Sequence, residues 1–318
     1  MKSAPELRLV YIVSSPHGGS TLLSHVLGKH RNAINLGEVS FLPKLIALDE
    51  PCSCGSAMSS CEFWNTVLEE HARTTGIDMR QDPYGIPLGD APKDKHGSGK
   101  IDEQYQSRLR FYGMKAKGAI DSLSVLYGPT VLPLSGVSLP SITQSARNTI
   151  GLYETAAQVA EKRLVIDASK MPRKAAHLYR ASPNSVRILH LTRDGRGVVS
   201  SRKKYMPVHI AARRWAHYHW VAEKTLARWV PEAHRQRMAY EEFVAEPEAT
   251  LERLFSWLGA DYDPDCLLFA EGSTSHSAGG NPARFEMGGG IRPADERWRK
   301  NLTESELDVF ERIAGSSN

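Results

Sequence analysis

Two glycines, a histidine and two hydroxyls stand together in Pro16-His-Gly-Gly-Ser-Thr21, directly after the apolar run Leu9-Val-Tyr-Ile-Val13. Adjacent glycines let a backbone turn its N–H groups inward, and a helix starting there adds its positive end, so the chemistry on offer is anion binding. Ser20 and Thr21 add hydroxyl donors. A nucleoside-triphosphate loop, G-x-x-x-x-G-K-[ST], would need lysine where Ser20 stands. Lacking that lysine and its Mg²⁺ partner, the loop suits a single phosphate better than a triphosphate. A turn that merely caps a helix has the same local sequence.

A second anion contact is offered by Leu191-Thr-Arg-Asp-Gly-Arg-Gly-Val-Val-Ser-Ser201. Arg193 leaves the end of an apolar run, Gly195 and Gly197 relax the turn, and Ser201 follows roughly two helical turns later. A guanidinium fork and a hydroxyl can share one phosphate; the plainer alternative is that Arg193 and Asp194 cap a helix. Asp167, after Leu164-Val-Ile166, invites comparison with the Mg²⁺-binding aspartate of kinases and other nucleotide-hydrolysing enzymes, although the first loop has no lysine to match. Cys52, Cys54 and Cys61 form a knuckle with metal-like spacing but no obvious fourth ligand, which leaves free thiols, a disulfide and zinc open. His217-Tyr-His219-Trp220 lacks an i, i+4 ligand pair and suits a helix surface or the wall of an acceptor pocket.

These residues need a frame that brings them to one rim. Hydrophobic runs predict strands at Leu9 to Val13, Arg163 to Asp167 and Val186 to Thr192. Apolar stripes predict helices at Thr21 to Lys29, Thr143 to Lys162, Pro172 to Ala181, Trp215 to Trp229 and Pro247 to Leu258, with a short one near the end of the chain. Alternating strands and helices imply an α/β fold, a central parallel sheet covered on both faces. In such sheets ligands lie beyond the carboxyl ends of the strands, where the first loop, Lys170 and Arg193 then meet. Residues 76 to 99 are rich in Gly, Pro, Asp and Lys without a period, so a surface excursion is expected there. Helical patterns return near Gln104 and break again at Gly128 to Gly136. The expected organisation is one domain, 1–318, with a helical and loop insertion at about 76–160.

Composition restricts the class. At 318 residues, 41% hydrophobic and 24% charged, the chain can bury a sizeable core. No apolar run reaches the length of a signal core or membrane span, so a cytoplasmic enzyme is expected. A net charge of +4, spread rather than clustered, gives nucleic acid little support and fits a small anionic ligand. Four cysteines in this length argue against a secreted disulfide scaffold.

Together the Pro-x-x-Gly-Ser-Thr loop, the Arg-Asp-x-Arg segment with Ser201 eight residues after Arg193, and Tyr240-Glu-Glu-Phe-Val-Ala-Glu-Pro247 resemble the sulfotransferases that use 3′-phosphoadenosine 5′-phosphosulfate (PAPS). The resemblance extends along most of the chain, and is to bacterial enzymes similar in their N-terminal half to tyrosylprotein sulfotransferases. It implies a P-loop NTPase-like three-layer fold and transfer of a sulfuryl group to an acceptor hydroxyl or amine. It also implies donor contacts from His17, Gly18, Gly19, Ser20 and Thr21 to the 5′-phosphosulfate, from Arg193 and Ser201 to the 3′-phosphate, and from Tyr240 near the adenine. Arg284, in a closing loop similar to that of the bacterial group, is expected over the donor phosphates. Glu38 stands at the tyrosylprotein enzymes' spacing for a general base, and Lys170 matches the lysine beside the transferring group. Many relatives have Lys or Arg at the position of His17, which is therefore expected to help stabilise the leaving oxygen and is the competing base. The family needs no metal, so none is expected in the site. The acceptor class, whether small molecule, carbohydrate, lipid or peptide, and the oligomeric state are not readable; neither a nucleic-acid partner nor an integral membrane segment is expected. A nucleotide-dependent kinase and a non-catalytic nucleotide- or RNA-binding protein are the alternatives.

Overall fold

The computed structural model describes residues 7–88, 139–268, 275–285, 290–294 and 296–318. Five strands, β1 (Arg8–Ser14), β2 (Ala33–Gly37), β3 (Leu164–Lys170), β4 (Val186–Thr192) and β5 (Arg235–Ala239), form one sheet in the order β2-β3-β1-β4-β5, every pairing parallel. The expected α/β class is correct. A loop from the central strand into a helix, in a sheet of this order, is the P-loop type of topology.

Parallel strands need crossovers, and helices supply them. In chain order these are α1 (Ser20–Gly28), α2 (Leu42–Ala47), α3 (Glu62–Thr75), α4 (Leu139–Val159), α5 (Pro172–Ala181), α6 (Gly195–Arg202), α7 (Val208–Trp229), α8 (Tyr240–Ala245), α9 (Pro247–Leu258), α10 (Trp298–Asn301) and α11 (Glu304–Ala314). Alternation along β1 assigns its faces. Leu9, Tyr11 and Val13 pack with residues of α3, α4 and α5, whereas Val10 and Ile12 pack with α1, α8 and α9. The three layers follow. A smaller cluster from α6, α7, α10 and α11, centred on Trp215 and Phe310, closes one end.

Local chemistry fixes several boundaries. Pro247 opens α9, whose end is turned by Gly259 at φ 70°; Thr303 and Glu306 form a capping box that starts α11. Predicted helices Pro172 to Ala181 and Pro247 to Leu258 match α5 and α9, while α7 begins earlier than the expected Trp215. The strands β2 and β5, unassigned from sequence, are the sheet edges. Part of the expected excursion is core: Met79, Ile86 and Leu88 are buried, as is Tyr153 on α4. The helical pattern near Gln104 and the break at Gly128 to Gly136 lie outside the described residues. Among the described residues, no helix is long and apolar enough to cross a membrane.

Candidate functional site

The β1–α1 loop adopts a backbone that few residues tolerate. His17 and Gly19 have φ of 67° and 90°, and the Gly18 N–H donates to the Ser15 carbonyl at 2.9 Å. Gly19 is required twice over, because a Cβ there would meet the Tyr240 ring at 2.2 Å. Tyr240 begins α8 directly after β5, and the guanidinium of Arg193, leaving β4, lies 4.7 Å from its ring centroid. Arg193 Nη1 also donates to the His17 carbonyl at 2.9 Å. Three strand ends therefore converge on one loop.

The charge there is lopsided. Burial first, then Arg202, Lys204, Arg193 and Lys170, push the His17 imidazole below its ordinary pKa. Four cations around one half-buried ring form a site that favours an anion, and a bound anion reverses the sign of the effect on His17. In the anion-free protein His17 is the neutral imidazole at neutral pH.

Arg193 and Asp194 separate in role. Asp194 caps α6, accepting from the Arg196 N–H at 2.8 Å and pairing with the Arg196 guanidinium at 2.8 Å. Arg196 packs in turn over Trp298. Asp194 and Arg196 are scaffold, while Arg193 is directed at the first loop. Ser201 lies on the last turns of α6, its hydroxyl donating to the Gly197 carbonyl at 3.0 Å.

Glu38 follows β2 and Lys170 ends β3; their side chains form an ion pair with 14% and 18% exposure, respectively. Lys170 is held in an unusual backbone, φ 72°, and its carbonyl accepts a hydrogen bond from the Tyr218 hydroxyl. Glu38 is held by its own N–H, which donates to the Ala278 carbonyl at 2.7 Å. Ala278 bridges Gly37, where φ is 76° and a Cβ would meet the Ala278 carbonyl oxygen at 2.3 Å. Gly280 lies beside the Glu38 carboxylate, near Thr21. Arg284 borders the same small cavity as Glu38 and Thr21, but two of its guanidinium nitrogens are given to the carbonyls of Gly280 and Pro51. Its Nε is buried and has no partner among the described residues.

Asp167 is not placed for a metal. It is buried, with Tyr153 donating to one carboxylate oxygen and the Ser169 N–H to the other at 2.6 Å, and burial raises its pKa. This is a structural carboxylate, which removes the main support for a kinase. The His217-Tyr-His219-Trp220 run is only half a helix surface: His217 and Trp220 are exposed, whereas Tyr218 reaches Lys170 and His219 is buried against His190, Nδ1 to Nε2 3.2 Å. The cysteine knuckle does have a fourth partner, His276, which sequence reasoning did not find because it lies 215 residues beyond Cys61.

A strained glycine loop after the central strand of a parallel sheet, ringed by cations, defines an α/β protein of the P-loop type with a rim whose charge suits a phosphate-like anion. Residues 137–264 match a family model described as "Sulfotransferase family". The matched part, less than half of the chain, holds Lys170, Arg193, Ser201 and Tyr240. No curated protein matches the sequence. Solved structures similar to the chain include a sulfotransferase domain from the Synechococcus PCC 7002 olefin synthase, 20% identical over 99% of this chain and 98% of that one, with a TM-score of 0.49. Sulfotransferases STF1 from Mycobacterium tuberculosis H37Rv and STF9 from Mycobacterium avium are 15% and 14% identical. They match 98% and 99% of this chain and 77% and 78% of their own, with TM-scores of 0.47 and 0.45. Similarity at this level carries no residue role across.

Proposed function

We propose that this protein is a sulfotransferase that takes its sulfuryl group from PAPS and delivers it to an acceptor hydroxyl or amine, with Glu38 as general base. The observation that carries the reading is the convergence of Arg193, Tyr240 and the His17–Gly19 loop. Two separate monophosphate positions explain why the loop has no lysine.

The residues present fit such a donor. The loop N–H groups, Ser20 and Thr21 would hold the 5′-phosphosulfate, Arg193 with Ser201 the 3′-phosphate, and the Tyr240 ring would flank the adenine. Ser201 must turn its hydroxyl from the Gly197 carbonyl to take part, a rotation about one bond. The donor supplies an activated sulfur whose leaving group is a phosphate oxygen. Lys170 and His17, the latter protonated or donating one hydrogen bond, stabilise negative charge on that oxygen as the sulfur–oxygen bond breaks. Glu38 accepts the acceptor proton as the acceptor oxygen or nitrogen bonds to sulfur. The ion pair with Lys170 holds the Glu38 carboxylate in position until Lys170 is drawn to the donor. Arg284 steadies the segment flanking Glu38 through Gly280 and Pro51, and reaches a donor oxygen only by releasing one of those carbonyls.

The test is incubation with sulfur-labelled PAPS and a panel of phenols, sugars, lipids and peptides. Label transferred to one acceptor class supports the reading. Label that stays in PAPS while phosphate from ATP reaches an acceptor would replace it with the kinase alternative.

A further inference from the structure

Cys52, Cys54 and Cys61 come from the knuckle before α3, and His276 from the segment near the C-terminal end. Their ligand atoms all lie within 4.8 Å of one another. Cys54 Sγ is 3.7 Å from Cys61 Sγ, and His276 Nδ1 is 3.4 Å from Cys61 Sγ and 4.0 Å from Cys52 Sγ. With Zn–S near 2.3 Å and Zn–N near 2.0–2.1 Å, a tetrahedral ion requires S···S of about 3.8 Å and S···N of about 3.5 Å. The three contacts bracket those lengths. A disulfide accounts for Cys54 and Cys61 but gives no reason for a third thiol and an imidazole to converge on the same point.

The surroundings match a metal knuckle. Cys52 and Cys61 are buried and Cys54 is half-buried, so the three sulfurs are withdrawn from bulk solvent. Gly55, at φ 90° with no atom within 4 Å of where a Cβ would stand, supplies the tight turn between them. His276 is fixed as well: its ring stacks on Phe63 with centroids 5.0 Å apart, and its carbonyl accepts from Trp64 Nε1 at 2.7 Å. The flanking backbone is stitched by the Ser53 N–H to the Ser277 carbonyl at 3.1 Å and by the Ser277 N–H to the Ser53 hydroxyl at 2.8 Å.

We infer that Cys52, Cys54, Cys61 and His276 bind a structural Zn²⁺ ion that clips the 275–280 segment to the knuckle. Three sulfurs and one imidazole nitrogen are the donors that select zinc in a closed tetrahedral site, with no position left for a substrate. Each coordinating thiol loses its proton to solvent on binding, so occupancy falls with acidification. The clip matters to the chemistry through position alone. Ala278, two residues from the ligand His276, fixes Gly37 and the Glu38 N–H. The inference does not rest on the sulfotransferase reading, since zinc content is measured without donor or acceptor.

The experiment uses the full chain, purified without chelator from zinc-supplemented medium, with elemental analysis, thiol titration and thermal denaturation. About one zinc per chain is expected, lost in Cys54→Ser and in His276→Ala but kept in His276→Cys, which restores a four-ligand set. Cobalt added to reduced, zinc-stripped protein should give the thiolate charge-transfer and visible bands of a tetrahedral site, and either ion should raise Tm. Cys54 and His276 are half-buried, so these variants are the least disruptive to folding. Should they fail to fold, the cobalt spectrum of the unmodified protein decides. Folded protein with four titratable thiols that takes up neither ion overturns the inference, as does a Cys54–Cys61 disulfide in the protein as purified. Zinc retained in both Cys54→Ser and His276→Ala would place the ion elsewhere and also overturn it.

Discussion

The two sides of the strand rim are built on opposite principles. Beyond β1 and β4, Arg193, Arg202 and Lys204 crowd His17, and among the described residues none of the three is paired with a carboxylate. Beyond β2 and β3, charges and backbone groups are matched: Lys170 to Glu38, the Glu38 N–H to Ala278, and Gly37 to Ala278. A surface that leaves like charges facing one another is completed by an anion, whereas a matched one holds a geometry. In the proposed function the first side takes the donor, and the second holds the Glu38 carboxylate in place.

The largest effect should fall on the matched side and on rate alone. Glu38→Gln keeps shape and polarity but removes the proton acceptor, so kcat should fall by roughly 10²–10⁴ with donor affinity nearly unchanged. Steady-state kinetics with one acceptor, alongside calorimetry with 3′-phosphoadenosine 5′-phosphate (PAP), separates the two quantities. Turnover near that of the unmodified enzyme would pass the base to His17. On the unmatched side the split reverses. Arg193→Ala should weaken PAP binding by roughly 10- to 150-fold, the worth of about 1.5–3 kcal/mol for a charge-assisted contact. Adenosine 5′-phosphate should lose far less, and equal losses for both ligands would break the comparison.

Smaller effects probe the scaffold. Gly37→Ala forces a side chain into a left-handed backbone and against the Ala278 carbonyl, so it should cost about 1–3 kcal/mol in denaturant unfolding and lower turnover through Glu38. Gly55→Ala, also left-handed but open to space, should cost only backbone strain and leave turnover alone. The buried pair His190 and His219 gives a pH signature. Burial first, then neighbouring positive groups, pull the two down to about 3 and about 4. The unfolded chain then binds more protons below the ordinary histidine value of about 6.5, so this contribution is intact above that value and is lost as pH falls toward 4. Unfolding midpoints measured between pH 7 and 4 should decline, and more shallowly in a His219→Gln variant.

What was legible in the sequence depended on whether partners were close along the chain. β1, β3 and β4 are continuous apolar runs because both their faces are covered, and the loops that follow carry the site. β2 and β5 escaped because edge strands carry polar residues: Asn35 interrupts one, and Arg235-Gln-Arg237 opens the other. Arg193 was legible as an anion contact from its place at a strand end. Its packing on Tyr240, and Tyr240 on Gly19, follows only from three strands meeting. The metal-like spacing of Cys52, Cys54 and Cys61 was visible, but nothing nearby in sequence points to His276. The Ser53–Ser277 stitching that brings it there is one backbone bond and one bond to a serine hydroxyl, neither of which stands out in the sequence.

The most direct test of the central claim compares PAP, adenosine 5′-phosphate and ATP by calorimetry, each with and without Mg²⁺. A site made of two separate monophosphate positions predicts that PAP binds tightest, by roughly tenfold or more over adenosine 5′-phosphate, with no dependence on Mg²⁺. ATP binding that is tighter than PAP binding and requires Mg²⁺ would contradict it.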